Sequence, residues 1–451
     1  MTLFGTDGIR ARAGEFPLNT VAIVAIGQAI GEKLGGRILV GRDTRMSSPW
    51  ILGLLQRGIG KTKAEIQDAG VIPTPAIALL ARQHGFAGGV VISASHNPYE
   101  DNGVKVFASD GTKLNDRDEA EIERRVFELL PPDGSPHQTD AVPDGRISAF
   151  NPTGWPERYE EILIEHFPDG SWLSGLRIAV DCANGAMSNV APRLIEKLGA
   201  QVIVTHAAPN GRNINAECGA VHVDSLMATI EKTPADFGIA FDGDGDRSLF
   251  VSNSGRLLNG DAVLLLMARR LKRSGQMNPP LVIGTSMTNF SLERILKTEG
   301  IGLTRVAVGD RFVFEEMLRS GSRLGGEPSG HVIFSDFRVS GDGLLTTLKV
   351  AEAIVTGHAT FDDLTRDWVE SPQLLKNVRV KEKVPLETLP SVQAKMAEIE
   401  HALQGCGRLV VRYSGTEPLL RVMIESDDGR KNDQLMTELL SVIEKQLGTG
   451  P

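Results

Sequence analysis

The chain has 451 residues, 41% hydrophobic and 23% charged, a balance that predicts a soluble globular protein of about three domains with substantial cores. Its formal net charge of −9 disfavours nucleic acid and anionic membranes as partners, and no run of about 18 apolar residues is present to span a bilayer. Three widely spaced cysteines, Cys182, Cys218 and Cys406, form no CxxC pair, which argues against a disulfide scaffold or zinc site and for a reducing cytoplasm. The opening MTLFGTDGIR has neither the basic stretch nor the apolar run of a secretory signal.

Taken in chain order, one arrangement recurs three times. RILVGRDTR (37–45) predicts a strand, 47–60 a helix, 64–70 a strand and 74–85 a helix. GGVVI (88–92) then reads as a buried strand that ends in SASHNP (93–98). In the second copy, strands at 177–186 and 201–209 alternate with helices at 188–200 and 223–233, and 235–247 ends in DGDGDR. In the third, 280–289, 290–300, 302–311 and 312–321 precede 323–334, which contains GEPSGH. Such alternation predicts α/β units with right-handed crossovers. Ligands bind at the carboxyl ends of strands in open α/β sheets, so the three polar loops are expected to face one cleft.

Pro-, Gly- and Asp-rich linkers at 131–154 and 252–261 separate the copies. After about residue 367 the pattern changes to a strand (376–383), a helix (392–403), a hairpin (408–426) and an amphipathic final helix (430–447). The expected fold class is therefore α/β: three related α/β domains with mixed sheets (1–154, 155–254 and 255–367) plus a smaller C-terminal α+β domain (368–451), around a central cleft.

The polar loops carry the chemistry. In DGDGDR, Asp242, Asp244 and Asp246 alternate along the chain, so an extended segment puts them on one face. Three carboxylates there repel unless a cation sits among them. Hard oxygen ligands favour Mg2+, with Ca2+ or Mn2+ as alternatives. An EF-hand loop would need Gly and Glu where Arg247 and Asn253 stand; a solvated acidic turn is the plainer alternative. Three carboxylates leave room for a further oxygen, and Ser95 is the candidate: as a phosphoserine it offers oxygens to the metal and a phosphoryl group for transfer. The alternative is that Ser93, Ser95 and His96 merely cap a turn. Glu327, Ser329 and His331 in GEPSGH suit sugar hydroxyls or an amine, or else a capped loop. YSGTEP offers Ser414, Gly415 and Thr416 beside Arg412 and Arg421, groups suited to a bound phosphate. Glu417 favours an ordinary hairpin turn.

SASHNP, DGDGDR, GEPSGH and RYSGTEP, in this order and with FGTDGIR at the start, resemble the phosphohexomutase family over nearly the whole chain. The resemblance implies four domains around one cleft, a phosphorylated Ser95, Mg2+ on Asp242, Asp244 and Asp246 with Ser95, and a mutase (isomerase) reaction on a hexose phosphate. It places Arg10 at the catalytic phosphate, Lys105 of DNGVK in proton transfer, and His96 and Arg247 beside the phosphoserine. Glu327, Ser329 and His331 match the sugar-reading loop. Arg412, Ser414, Gly415, Thr416 and Arg421 match the phosphate-anchoring loop. FGTDGIR, DCANGA, NINAECGAVH (213–222), VGDRFV and LGGEPSGH look most like the bacterial branch acting on glucosamine 6-phosphate and glucosamine 1-phosphate. A phosphoglucomutase/phosphomannomutase is the alternative. That branch implies a homodimer. Pro328 stands where it usually has Gln.

Overall fold

The computed structural model describes residues 2–5, 7–131, 139–142, 154–337, 340–414 and 418–448. The chain forms two compact units, one of Met1–Thr285 with Val306–Arg366 and one of Ser286–Arg305 with Asp367–Pro451.

The first unit contains three α/β sheets. In the first sheet the strand order is Phe4–Gly5, Gly8–Arg12, Asp101–Ala108, Gly88–Ile92, Arg37–Arg42, Glu65–Val71. The last three of these are parallel to one another. The second sheet runs Leu257–Leu258, Ser248–Ser252, Phe237–Phe241, Arg177–Asp181, Gln201–Thr205, again with a parallel centre. In the third, Leu281–Thr285 lies parallel to Leu324–Gly326. Gly88–Ile92 and Phe237–Phe241 are buried throughout, as continuous apolar runs in a covered sheet should be.

The return strands Asp101–Ala108 and Ser248–Ser252 lie outside the expected elements, while Val332–Phe334 falls inside the expected 323–334, which GEPSGH divides into two strands. Each polar loop turns the chain back antiparallel along the strand it follows: Asp101–Ala108 on Gly88–Ile92, Ser248–Ser252 on Phe237–Phe241, and Val332–Phe334 on Leu324–Gly326. Val90 faces Val106, Ile239 faces Phe250 and Gly325 faces Ile333 across these pairs. A loop pinned at both ends by a ladder has few conformations left, which suits a loop that must hold chemistry. The missed helix Thr20–Leu34 is capped by Asn19, whose Oδ1 accepts from the Ala22 amide at 3.0 Å. It belongs to the core that includes Ile23, Ile26, Ile30, Leu55 and Val90.

The second unit is built on an antiparallel sheet in the order Gln373–Arg379, Leu419–Ser426, Gly407–Tyr413. Helices Pro390–Ala402 and Gly429–Leu447 contribute Val392, Ile399, Leu439 and Ile443 to its core, against Val422 and Ile424. Its first strand begins and ends earlier than the expected 376–383. Register decides this: Gln373 pairs with Glu425 and Arg379 with Leu419, the first residue of the partner strand. Residues 286–305 join this unit because Asn289, Phe290 and Thr288 bond to its groups. The Asn289 side chain exchanges hydrogen bonds with the Ser371 backbone, and Glu425 accepts from the Phe290 amide at 2.8 Å. Among the described residues no helix is long and apolar enough to cross a membrane.

Candidate active site

The serine loop is fixed from beneath before any side chain reaches the site. Buried Asp43 accepts from Ser93 Oγ at 2.6 Å, and Ser93 Oγ accepts from the Ser95 amide at 2.9 Å. Ser95 then adopts φ = 52°, a left-handed conformation that is unfavourable for a residue with a Cβ and persists only where surroundings impose it. From there its Oγ donates to Asp242 Oδ2 at 2.6 Å, across 147 residues of sequence, with His96 Nδ1 3.3 Å away.

Ligand-capable oxygens of Asp242, Asp244 and Asp246 lie within 4.8 Å of one another, and all three residues are buried. Asp242 Oδ1 accepts from the Arg247 amide at 3.1 Å. Asp244 Oδ2 accepts from Thr74 Oγ1 at 2.6 Å and from Lys105 Nζ at 2.9 Å. Asp244 Oδ1 and Asp246 Oδ1 are buried without a hydrogen bond; His331 Nδ1 and Arg247 Nε lie 3.7 and 3.8 Å from the latter. Buried carboxylate oxygens without donors are costly. An all-oxygen set of this kind fits a hard divalent cation.

Lys105 is the cation these acids already have. Its Nζ lies 2.9 Å from Asp244, 3.1 Å from Asp7 and 3.5 Å from Asp246, with the side chain only 2% exposed. Burial alone would push its pKa down, but the three carboxylates outweigh it and hold the ammonium well above its ordinary range. Burial, with Asp246 and Asp244 beside it, pushes the Asp242 carboxyl well up. Burial, then Arg247 and Arg10, pushes His96 down to about 4, so its imidazole is neutral at physiological pH. His331 shifts the other way. Burial disfavours its charge, but Asp246, Asp310 and Glu327 raise its pKa.

A cavity of about 190 Å³ is lined by Arg10, His96, Asp246, Arg247, Glu327 and His331, together with Asp7 and Asp310. The structure thus brings together expected residues from the start of the chain and all three strand-end loops. Ser329 Oγ donates to Glu327 Oε2 at 3.3 Å, and Glu327 Oε1 accepts from the Gly309 amide at 3.0 Å. In the second unit, Arg412 and Arg421 are directly opposed across adjacent strands. Like charges in that position repel, and an anion between them would relieve the repulsion. Ser414 is buried at the end of that strand, its carbonyl accepting from Lys383 Nζ at 2.7 Å. Gly415, Thr416 and Glu417 lie outside the described residues.

Sequence reasoning missed Asp7, Thr74, Lys113 and Asp310. Asp7 sits in the quoted FGTDGIR, and an acid immediately before the Arg-containing strand Gly8–Arg12 was a usable signal. It bonds Arg10 and Lys113, and Lys113 Nζ also donates to Asp310 at 2.9 Å. Asp310 likewise sits in the quoted VGDRFV; nothing local marks Thr74.

Four family models match in succession: phosphoglucomutase/phosphomannomutase alpha/beta/alpha domain I over residues 1–131, domain II over 158–255, domain III over 259–371 and the C-terminal domain over 375–442. The chain belongs to the phosphoglucomutase/phosphomannomutase family. Among curated relatives, the phosphoglucosamine mutase of Solibacter usitatus is 43% identical, with 99% of each chain covered. That of Deinococcus radiodurans is 42% identical over 99% of this chain and 98% of the relative. The same fold appears in a phosphoglucomutase/phosphomannomutase family protein from Burkholderia thailandensis, with a TM-score of 0.79 at 22% identity over 99% of this chain and 98% of that one. It appears also in Aspergillus fumigatus N-acetylphosphoglucosamine mutase in complex with GlcNAc-6P and magnesium, with a TM-score of 0.66 at 18% identity over 99% and 96%.

Proposed function

We propose that this protein is a phosphoglucosamine mutase, an isomerase that interconverts glucosamine 6-phosphate and glucosamine 1-phosphate through a phosphorylated Ser95. The observation that carries the mechanism is the 2.6 Å hydrogen bond from Ser95 Oγ to Asp242, beside two buried acids whose Oδ1 atoms lack donors. The names of the full-length relatives support the choice of sugar.

Asp242, Asp244, Asp246 and Ser95 would hold Mg2+, which supplies positive charge against the transferred phosphoryl oxygens. The chain's residues do the rest. A hydroxyl of the sugar phosphate attacks the phosphorus on Ser95; the new P–O bond forms as the Oγ–P bond breaks. The hydroxyl proton needs a resident acceptor. The two candidates are His96, whose Nδ1 lies 3.3 Å from Ser95 Oγ, and Lys105, whose Nζ lies 2.9 Å from Asp244. Arg10 and Arg247 line the same cavity and offset the charge of the group in flight. The resulting bisphosphate turns over, and its other phosphate returns to Ser95. Glu327, Ser329 and His331 read the sugar. Arg412, Ser414, Gly415, Thr416 and Arg421 anchor the phosphate that is not being transferred. The net charge of −9 opposes an anionic substrate, so the local arginines must draw it in against the overall field; the three cysteines without a CxxC pair support a reducing cytoplasm. We assign it as a homodimer on the family resemblance.

The test pairs Ser95→Ala with the wild-type protein on glucosamine, glucose and mannose phosphates. Loss of all turnover in the variant, one phosphate on wild-type Ser95 by peptide mass, and the highest kcat/KM on glucosamine 6-phosphate are expected. Full activity in Ser95→Ala would sink the mechanism. A preference for glucose or mannose phosphate would move the protein to the alternative branch, with Pro328 the residue to examine.

A further inference from the structure

NINAECGAVH (213–222) packs against the serine loop. Asn215 is 6% exposed and sits at φ = 58°. Its Nδ2 donates to two backbone carbonyls of the other loop, Ser95 O at 2.9 Å and Asn97 O at 3.0 Å. The fully buried Arg45 grips the same two carbonyls from its own side, at 2.9 and 2.8 Å. It also donates to Asp101 O at 3.0 Å and to the Pro98 carbonyl. Gly243, between the first two aspartates, completes the contact. A Cβ there would lie 2.6 Å from Ser95 O and 2.9 Å from Asn215 Nδ2, so the two loops meet backbone to backbone.

These contacts fix Ser95 at both ends. Its amide is tied to Ser93 Oγ and its carbonyl to Asn215 and Arg45, which leaves χ1 as its remaining freedom. The clamp is itself anchored. The Asn215 amide donates to Ala183 O at 2.9 Å. The Gly219 amide donates to Asp181 Oδ2 at 3.0 Å, with His206 Nδ1 3.1 Å from the same oxygen. Asn184 Nδ2 donates to Asn213 O at 3.2 Å, while its own carbonyl accepts from Thr44 Oγ1 at 2.5 Å. DCANGA and NINAECG, the two stretches left without a chemical role, therefore form one bracket around the serine loop.

We propose that Asn215 is a positioning residue for phosphoryl transfer: together with Arg45 it holds the Ser95 backbone in its left-handed conformation, so that Oγ faces Asp242. The proposal rests on Ser95 being the phosphoryl carrier. Asn215 touches no reacting atom, so its loss acts on the geometry of transfer and leaves sugar binding alone. A displacement of about 1 Å at a reacting centre costs on the order of 100-fold in rate.

Asn215→Gly is the cleanest variant, because glycine keeps the left-handed backbone without strain. In steady-state assays on glucosamine 6-phosphate, kcat should fall by about 10- to 100-fold, with KM within about twofold of wild type and full phosphate occupancy of Ser95 by intact mass. A kcat within about twofold of wild type, or a loss confined to KM, overturns the proposal. Should the glycine variant fail to fold, Asn215→Asp keeps the side-chain shape and turns an acceptor toward both carbonyls. It should show the same loss in kcat, and wild-type kcat in it overturns the proposal equally. Ser95→Ala is run in parallel. If it is active, the phosphoserine reading itself fails; if it is dead while the Asn215 variants are unimpaired, only the positioning role fails.

Discussion

Lys105 Nζ stands 2.9 Å from Asp244 Oδ2, in a pair whose side chains are 2% and 1% exposed. The two residues come from different sheets, Lys105 from a return strand of the first and Asp244 from the loop leaving a central strand of the second. This ammonium is the resident counterion of a cluster that also faces Asp7 and Asp246.

Removing that counterion strands buried carboxylates. Lys105→Met should destabilise the protein by about 3–5 kcal/mol in the presence of a chelator. It should also bind Mg2+ more tightly than wild type, since a competing positive charge is gone. Urea melts with and without Mg2+ measure both. Equal Mg2+ stabilisation of variant and wild type would show that Lys105 does not compete with a cation for the triad.

Chelation should stop turnover, and Mg2+ should restore it. A cation bound to the folded chain alone also raises stability, by about 2.7 kcal/mol at 100 times its dissociation constant. The melting temperature of wild type should therefore climb with Mg2+, while that of Asp242→Asn/Asp244→Asn should stay flat. Isothermal titration with Mg2+ checks the same point without activity.

Asp342 gives a pH dependence away from the serine. Burial pushes its carboxyl up to about 6 from an ordinary 3.8. Tyr159 Oη lies 2.9 Å from both its oxygens, and its Oδ1 accepts from the Leu345 amide at 2.9 Å. Between these pH values the folded chain binds more protons than the unfolded one, so stability falls as pH rises from about 4 through about 6. The change is about 3 kcal/mol. Asp342→Asn keeps the helix cap and should lose this dependence. The comparison is the difference between the two denaturation profiles across pH 4 to 7, and parallel profiles would refute it.

In the second unit, Arg408 Nε donates to the fully buried Glu425 at 2.6 Å, and its two terminal nitrogens reach Ser286 O at 2.8 Å and Thr288 O at 2.6 Å. Arg408→Met leaves a buried carboxylate short of its cation and should cost about 3–5 kcal/mol. Amide exchange should accelerate along 286–290 and 419–426. Adding Glu425→Gln should recover part of the loss, because the stranded charge is then gone; a purely additive double variant would mean that the pair is not coupled.

The amino-acid order alone determined the local architecture. The run GGVVI, the alternation in DGDGD and the glycines of GEPSGH are short-range signals, since strand burial, carboxylate spacing and loop chemistry all depend on neighbours a few residues away. The three strand-end loops and their order were legible for that reason, as was the acidic triad. The first two return strands were not, because Asp101–Ala108 is a strand by virtue of pairing with Gly8–Arg12 and Gly88–Ile92, whatever its own pattern suggests. Only the tertiary structure decided which side chains share a charge environment. Lys105 meets Asp244 across 139 residues, and Thr74 meets it across 170. Asn215 reaches Ser95 across 120. Which charges surround Lys105 and His96 follows from distance and burial, quantities that come into being when remote segments pack together and exclude water.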